Sequence, residues 1–258
     1  MTKKALLTTI LAGSLALSSS VYAGQTGGTA LDVDALIASN ACPAAKAEYP
    51  PNIPAALDTA TLDRLTRLAG QGRADAMVVL GLRYAAPEAN TPEQPTRDFA
   101  KAFSLFQRAA KKGQAFGEYL MGVAYMSGQG VKKDEPAALA AFRRAADKGV
   151  PPAMYWTGEL ILKGRAGATK DVKVAVPYLH NAAGAGSDEA YFELGNSYQK
   201  GVFGKPDYEK AAYCFRQGVV LKSPLSEFNL RVLIDQHQVA WQPGDPGQPL
   251  NPEEKSGK

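Results

Sequence analysis

Side chains that carry chemistry are scarce in this chain of 258 residues, which has two histidines, two cysteines and two tryptophans. His180 and His237 lie far apart, and neither has a second ligand-type residue three or four positions on. A metal site by helical spacing therefore fails, and no metal or cofactor is expected. There is no Gly-x-Ser-x-Gly elbow and no phosphate loop. The best acidic pairs, Asp188-Glu189 and Glu253-Glu254, fall on a turn and in the C-terminal tail, where charges are normally solvated. With no nucleophile and base in a working arrangement, the chain is expected not to be an enzyme. Excess positive charge is also thin: 29 Lys and Arg stand against 25 Asp and Glu. The pI near 8.9 comes without a basic stripe or interleaved aromatics, so no nucleic-acid partner is expected.

Long apolar runs are missing too. The strongest, Ala5 through Leu17, is too short and too rich in serine, threonine and glycine for a membrane span. Behind Lys3 and Lys4, and ahead of Val21-Tyr22-Ala23, it reads as a secretory signal peptide over residues 1–23. No cysteine follows that region closely, so no lipid anchor is expected. The expectation is cleavage near Ala23 and a protein in the periplasm, or secreted. Losing Lys3 and Lys4 lowers the formal net charge from +4 to +2.

What the chain does have is repetition. Asp98, Asp134, Asp171 and Asp207 recur at intervals of 36, 37 and 36 residues. Each is followed four residues later by Ala102, Ala138, Ala175 or Ala211, and then by a bulky pair, Leu105/Phe106, Ala141/Phe142, Tyr178/Leu179 or Cys214/Phe215. Gly113, Gly149 and Gly186 close the units, with Lys222 in the last copy. Counted from the closing glycine of the preceding unit, position 4 is small (Ala76, Gly117, Ala153, Ala190) and position 9 is Gly81, Gly122, Gly158 or Gly195. Glycine inside a helix costs up to about 1 kcal/mol against alanine, so its regular return implies close helix packing. Tyr84, Tyr125, Ile161 and Tyr198 follow as core positions. Each unit reads as helix A, a turn rich in glycine, and helix B with an aspartate at its N-cap. The fold expected is all-α, a right-handed α-solenoid of about four helix-turn-helix repeats with half-repeat caps.

The outline Ala…Leu-Gly-x-x-Tyr…Gly-x-Gly-Val…Asp…Ala…Phe-x-x-Ala-Ala-x-x-Gly is clearest in residues 114–149. It resembles the Sel-one-like repeat family, a longer-unit cousin of the tetratricopeptide repeats, over roughly residues 58–235. Unit one departs from it, with 41 residues between Gly72 and Gly113 and Pro87 in place of the turn glycine. So does unit four, where Gly218-Val219 replaces the paired alanines. The resemblance implies an interaction scaffold with no shared catalytic residues. Some exported members act as immunity proteins that mask a lipase-like effector toxin. An adaptor in the assembly or regulation of an envelope system is the other role it admits, and a cell-wall or lipid hydrolase is the outsider.

Around the repeats, residues 24–57 read as an extended leader, 58–241 as the solenoid and 242–258 as a disordered tail. Asp58 is expected to cap a lone helix ending near Gly70, and Ser223-Pro224 to open a capping helix that includes His237. In that helix Arg231 replaces the position-9 glycine and stops the array. Cys214 takes a core slot and Cys42 precedes the first unit. Helices stacked ~10 Å apart would separate the two by ~30–40 Å. A buried free thiol at Cys214 is therefore expected, although two cysteines in an oxidising compartment also invite a bond.

Helix A of such stacks lines the concave face. With positions 4, 8, 9 and 12 buried, the helical wheel turns positions 6, 7, 10 and 14 outward. The expected protein-binding face is therefore Val79, Leu82, Tyr119, Leu120, Val123, Tyr155, Trp156, Glu159 and Glu193, with Trp156 as its anchor. The same stripe is also what packing against the next unit, or cover by residues 24–57, would produce. The partner expected is another protein, an effector toxin or an envelope component.

Overall fold

The structure, a computed structural model, describes residues 42–44, 60–86 and 95–246. Among the described residues there are ten α-helices and no strand. They fall into two compact units. The first holds α1 (Leu62–Gly70), α2 (Ala74–Ala85), α3 (Phe99–Lys111), α4 (Ala115–Ser127), α5 (Glu135–Asp147) and α6 (Pro151–Leu162). The second holds α7 (Val172–Gly184), α8 (Asp188–Gln199), α9 (Tyr208–Val220) and α10 (Pro224–Asp235), together with Cys42–Ala44. Within each unit every helix packs on the next in sequence, the pattern of a repeat solenoid.

The local chemistry is that of the repeat. Asp98, Asp134, Asp171 and Asp207 sit at the N-caps of α3, α5, α7 and α9. Each carboxylate accepts from the backbone N–H three residues on, in Lys101, Ala137, Val174 and Lys210, at 2.9 to 3.1 Å. This satisfies one of the orphan amides of the first turn. Helix B then ends in a left-handed residue: Gly113, Gly149 and Gly186 have φ of 84°, 85° and 93°. After α3, Gln114 N–H reaches back to Ala109 C=O (3.1 Å), closing a Schellman turn. Lys222 makes the same turn with φ 60°, and Ser223 N–H bonds Gly218 C=O at 3.0 Å. The turn geometry holds without the glycine.

Position 9 explains itself in three units. A Cβ on Gly81, Gly122 or Gly195 would stand 2.5 to 2.6 Å from the ring of Phe106, Phe142 or Phe215 on the helix B that follows. Only a glycine lets each ring lie that deep. The core is accordingly made of small residues interleaved with phenylalanine and leucine: Ala109, Ala141, Ala145, Phe142, Leu160, Leu179 and Phe215 are all fully enclosed.

Several expectations are corrected at the ends. Thr61, not Asp58, caps α1, its hydroxyl accepting from Arg64 N–H at 3.3 Å; Asp58 lies outside the described residues. Ser223 and Pro224 do open α10, but the serine side chain makes no cap bond. His237 lies beyond the helix, with φ 56°. Gln242 to Pro246 fold back onto α9, where Arg216 grips Asp245 with Nε and Nη2 (2.8 and 2.9 Å) and donates to Ala240 C=O (3.1 Å). Gln242 to Pro246 are thus held rather than disordered as expected, because a partly buried ion pair pins them. Residues 1–41, 45–59, 87–94 and 247–258, which include the expected signal peptide and most of the expected leader, lie outside the described residues.

The largest correction is covalent. Cys214 is buried as expected, but it is bonded to Cys42, with Cα atoms 5.4 Å apart. Pro43 follows against α7, its ring 3.4 Å from where a Cβ of Gly184 would stand. The separation inferred from stacking fails because Cys42 lies in the second unit with α9, not beside the first repeat as its place in the sequence suggested.

Candidate protein-binding face

An unbroken file of rings crosses α4, α5 and α6 in the first unit. Phe116 meets Tyr119 (centroids 5.3 Å), Tyr119 meets Phe142 (5.9 Å), and Phe142 stacks on Trp156 (5.8 Å, 12° between planes). Tyr155 stands edge-on to Trp156 at 5.4 Å. Phe142 and Tyr119 are buried, whereas Trp156 and Tyr155, at the end of the file, are half-buried. The indole is therefore neither a loose surface group nor a core group. One face is held by the core, and part of the ring remains accessible.

A second feature lies between the first two repeats. Leu82 of α2, Phe99 and Phe103 of α3, and Leu120 and Val123 of α4 line an open, almost wholly apolar depression of about 30 Å³. A site of that volume takes a water or two, or the tip of one side chain. Small-molecule sites run about 300–1,000 Å³, so the depression suits an anchor residue from a macromolecule. Phe99 and Phe103 were missed by the sequence because they sit on helix B, one turn apart at i and i+4. Tyr125 leans edge-on against Phe103 (5.3 Å), and Lys101 Nζ lies 4.2 Å over the Tyr84 ring. Both tyrosines are half-buried, whereas Tyr198 is buried.

Of the nine residues expected to face outward, six are buried: Val79, Tyr119, Leu120, Val123, Glu159 and Glu193. Leu82, Tyr155 and Trp156 are half-buried. The helical wheel supposes that a first helix touches only its own helix B. In fact neighbouring first helices share a surface: α2 and α4 line the same depression, and α8 touches α10. Leu82 and Val123 at position 10 and Leu120 at position 7 are turned into the first of those contacts. Glu159 pairs with Lys163 one turn on, Oε1 to Nζ 2.7 Å. Glu118, buried on α4, does the same with Lys148 (3.0 Å) and Arg144 (3.9 Å) from α5. Glu193 belongs to the second unit and drops out of the face.

No group of three His, Cys, Asp or Glu side chains able to hold a metal occurs among the described residues. No helix there is long and apolar enough to cross a membrane. Burial lowers the pKa of the His180 imidazole from its ordinary value.

Fold and face together define a class: an all-α repeat solenoid whose surface features are contact features. Residues 74–114, 115–150, 151–187 and 188–218 each match the Sel1 repeat. That is more than half of the chain, which belongs to the Sel1 repeat family. Chitin synthase regulatory factor 3 of Schizosaccharomyces pombe is 32% identical over 124 residues, 45% of this chain and 13% of that protein. The chain spans about a third or less of the length of the curated relatives it matches. Among solved structures, a protective antigen of uropathogenic Escherichia coli is 28% identical with a TM-score of 0.62, covering 69% of this chain and 37% of its own. A Sel1 repeat protein from Oxalobacter formigenes is 25% identical with a TM-score of 0.59, covering 68% of this chain and 49% of its own. The chain is a Sel1-repeat scaffold for protein–protein interaction.

Proposed function

We propose that this chain is a non-catalytic, exported scaffold that acts in the periplasm as an immunity protein, holding and masking a lipase-like effector toxin. The observation that carries the binding role is the Tyr155–Trp156 pair. It offers accessible aromatic area on a base stiffened by Phe142, and rigid aromatics are the usual anchors of protein interfaces. The signal-like N-terminus and the Cys42–Cys214 bond support export, since such bonds persist in oxidising compartments. A second reading, an adaptor that assembles or regulates an envelope enzyme, draws on the likeness to a protein named as a chitin synthase regulatory factor.

The test is capture from periplasmic extract by the oxidised mature protein and its Trp156→Ala variant. The stack on Phe142 makes the truncation cost about 2 kcal/mol of stability, so the melting temperature falls by a few degrees while the fold persists. Partner affinity should fall about 30-fold, the effect of losing a 2 kcal/mol anchor. A captured lipase whose hydrolysis stops at one equivalent supports immunity. A captured envelope synthase or secretion component that stays active supports the adaptor. Lipid or cell-wall hydrolysis by this protein itself, lost on His180 or His237 substitution, would overturn both.

A further inference from the structure

The last helix, α10, ends the array with a face that is open among the described residues. At position 6 of earlier units a ring meets helix B of its own unit: Tyr119 lies on Phe142, and Phe192 on Phe215 (6.3 Å). Phe228 holds the same position, no helix B follows it among the described residues, and it is 65% exposed. Leu225 on one side of it is 42% exposed, and Val232, one turn on, is half-buried. A strip of charge runs alongside: Glu227, Arg231 and Asp235 follow at i and i+4 spacing, with Lys222 just ahead of the helix, and all four are exposed. None of these four side chains has an ion-pair partner among the described residues. Arg231 stands where the earlier units have glycine, so a further phenylalanine-bearing helix B cannot settle there as it does on Gly195.

The pattern complements itself. Two copies of α10 laid antiparallel, with a twofold axis between residues 228 and 229, bring Phe228 against Phe228. The same register sets Leu225 opposite Val232 and Lys222 opposite Asp235, and brings Glu227 to within one residue of Arg231. On the helical wheel the three helical charges share one flank of Phe228 and the two aliphatics the other, so one register satisfies all four pairs. A parallel arrangement would set the charged flank of one helix against the aliphatic flank of the other. We propose that α10 docks on α10 of a second copy of this chain, forming an antiparallel, charge-registered homodimer. A helix of 12 residues is about 18 Å long. The contact therefore falls below the ~800 Å² per partner of a standard interface, and the dimer is reversible.

Sedimentation velocity of the full mature chain, with its disulfide intact, tests this between roughly 1 and 200 µM, the range that brackets micromolar self-association. The natural chain should shift from monomer to dimer. Phe228→Glu should weaken the dimer at least about 30-fold, as expected of a central anchor. Glu227→Arg and Arg231→Glu should each weaken it about tenfold, and the double variant should recover to within about threefold of the natural chain. Far-ultraviolet circular dichroism checks that each variant folds, which the exposure of these positions favours. A natural chain that stays monomeric leaves the face to another occupant and overturns the proposal. So does a Phe228→Glu chain that dimerises as before, or a double charge variant that fails to recover.

Discussion

A methyl group on Gly122 would meet the Phe142 ring at 2.5 Å, and that ring is fully enclosed between Tyr119 and Trp156. Helix propensity alone makes Gly122→Ala favourable by up to about 1 kcal/mol. Overpacking a closed core costs about 1–3 kcal/mol, so the variant should melt below the natural protein. A variant that melts higher would show that Phe142 can move aside. His180 presents the same conflict between chemistry and burial. Burial depresses its pKa in the folded state, so the unfolded chain binds the proton more readily. Stability should be fully present above about pH 6.5, the ordinary histidine value, and fall as the pH drops below it. His180→Gln should flatten the stability profile between pH 7 and 5, measured by denaturant titration.

The helices depend on their caps, and the segment after α10 depends on one ion pair. Arg216 reaches from α9 to Asp245 and to the carbonyl of Ala240, and Val239 is buried beneath that return. Burial works to raise the Asp245 carboxyl, but the Arg216 hydrogen bonds and the Gln242 N–H outweigh it and hold the pKa below the usual range. The return is therefore stabilised above about pH 4, the ordinary aspartate value. That stabilisation is lost as the pH falls through the lowered pKa of the folded state. Asp245→Ala strands a partly buried guanidinium. Limited proteolysis at neutral pH should then cut between Gln236 and Pro246 faster than in the natural chain, with α7 to α9 still protected. Equal cutting rates would mean that Val239 alone holds the segment.

For the molecule as a whole, one covalent bond does what repeat packing cannot. Stacked repeats are held by nearest-neighbour contacts, whereas the Cys42–Cys214 bond closes a span of 172 residues. Loops of that length correspond to about 5 kcal/mol in the chain-entropy model, and about 2–4 kcal/mol is typical of measured bonds. Both cysteines belong to the second unit, so the loss should be local to it. Cys42→Ser leaves the buried Cys214 in place. It should speed hydrogen exchange in α7 to α10 while leaving α2 to α5 unchanged. Acceleration spread evenly over all ten helices would mean that the two units unfold as one.

What the sequence by itself determined is everything that depends on near neighbours in the chain. The aspartate caps, the glycine closures and the fit of Gly122 under Phe142 each follow from residues within one repeat, and the repeat states them several times over. The resemblance built on the same residues led to the family. Long-range placement was decided only by the tertiary structure. The helical wheel of α6 cannot know that α5 brings Phe142 under Trp156, or that Glu159 is buried with Lys163 as its ion-pair partner. The pairing of Cys42 with Cys214 is equally invisible in spacing, because a contact between residues 172 apart in the chain leaves no periodic trace. Phe228 holds an ordinary core position in the repeat and is a surface because, among the described residues, no further helix is laid against it.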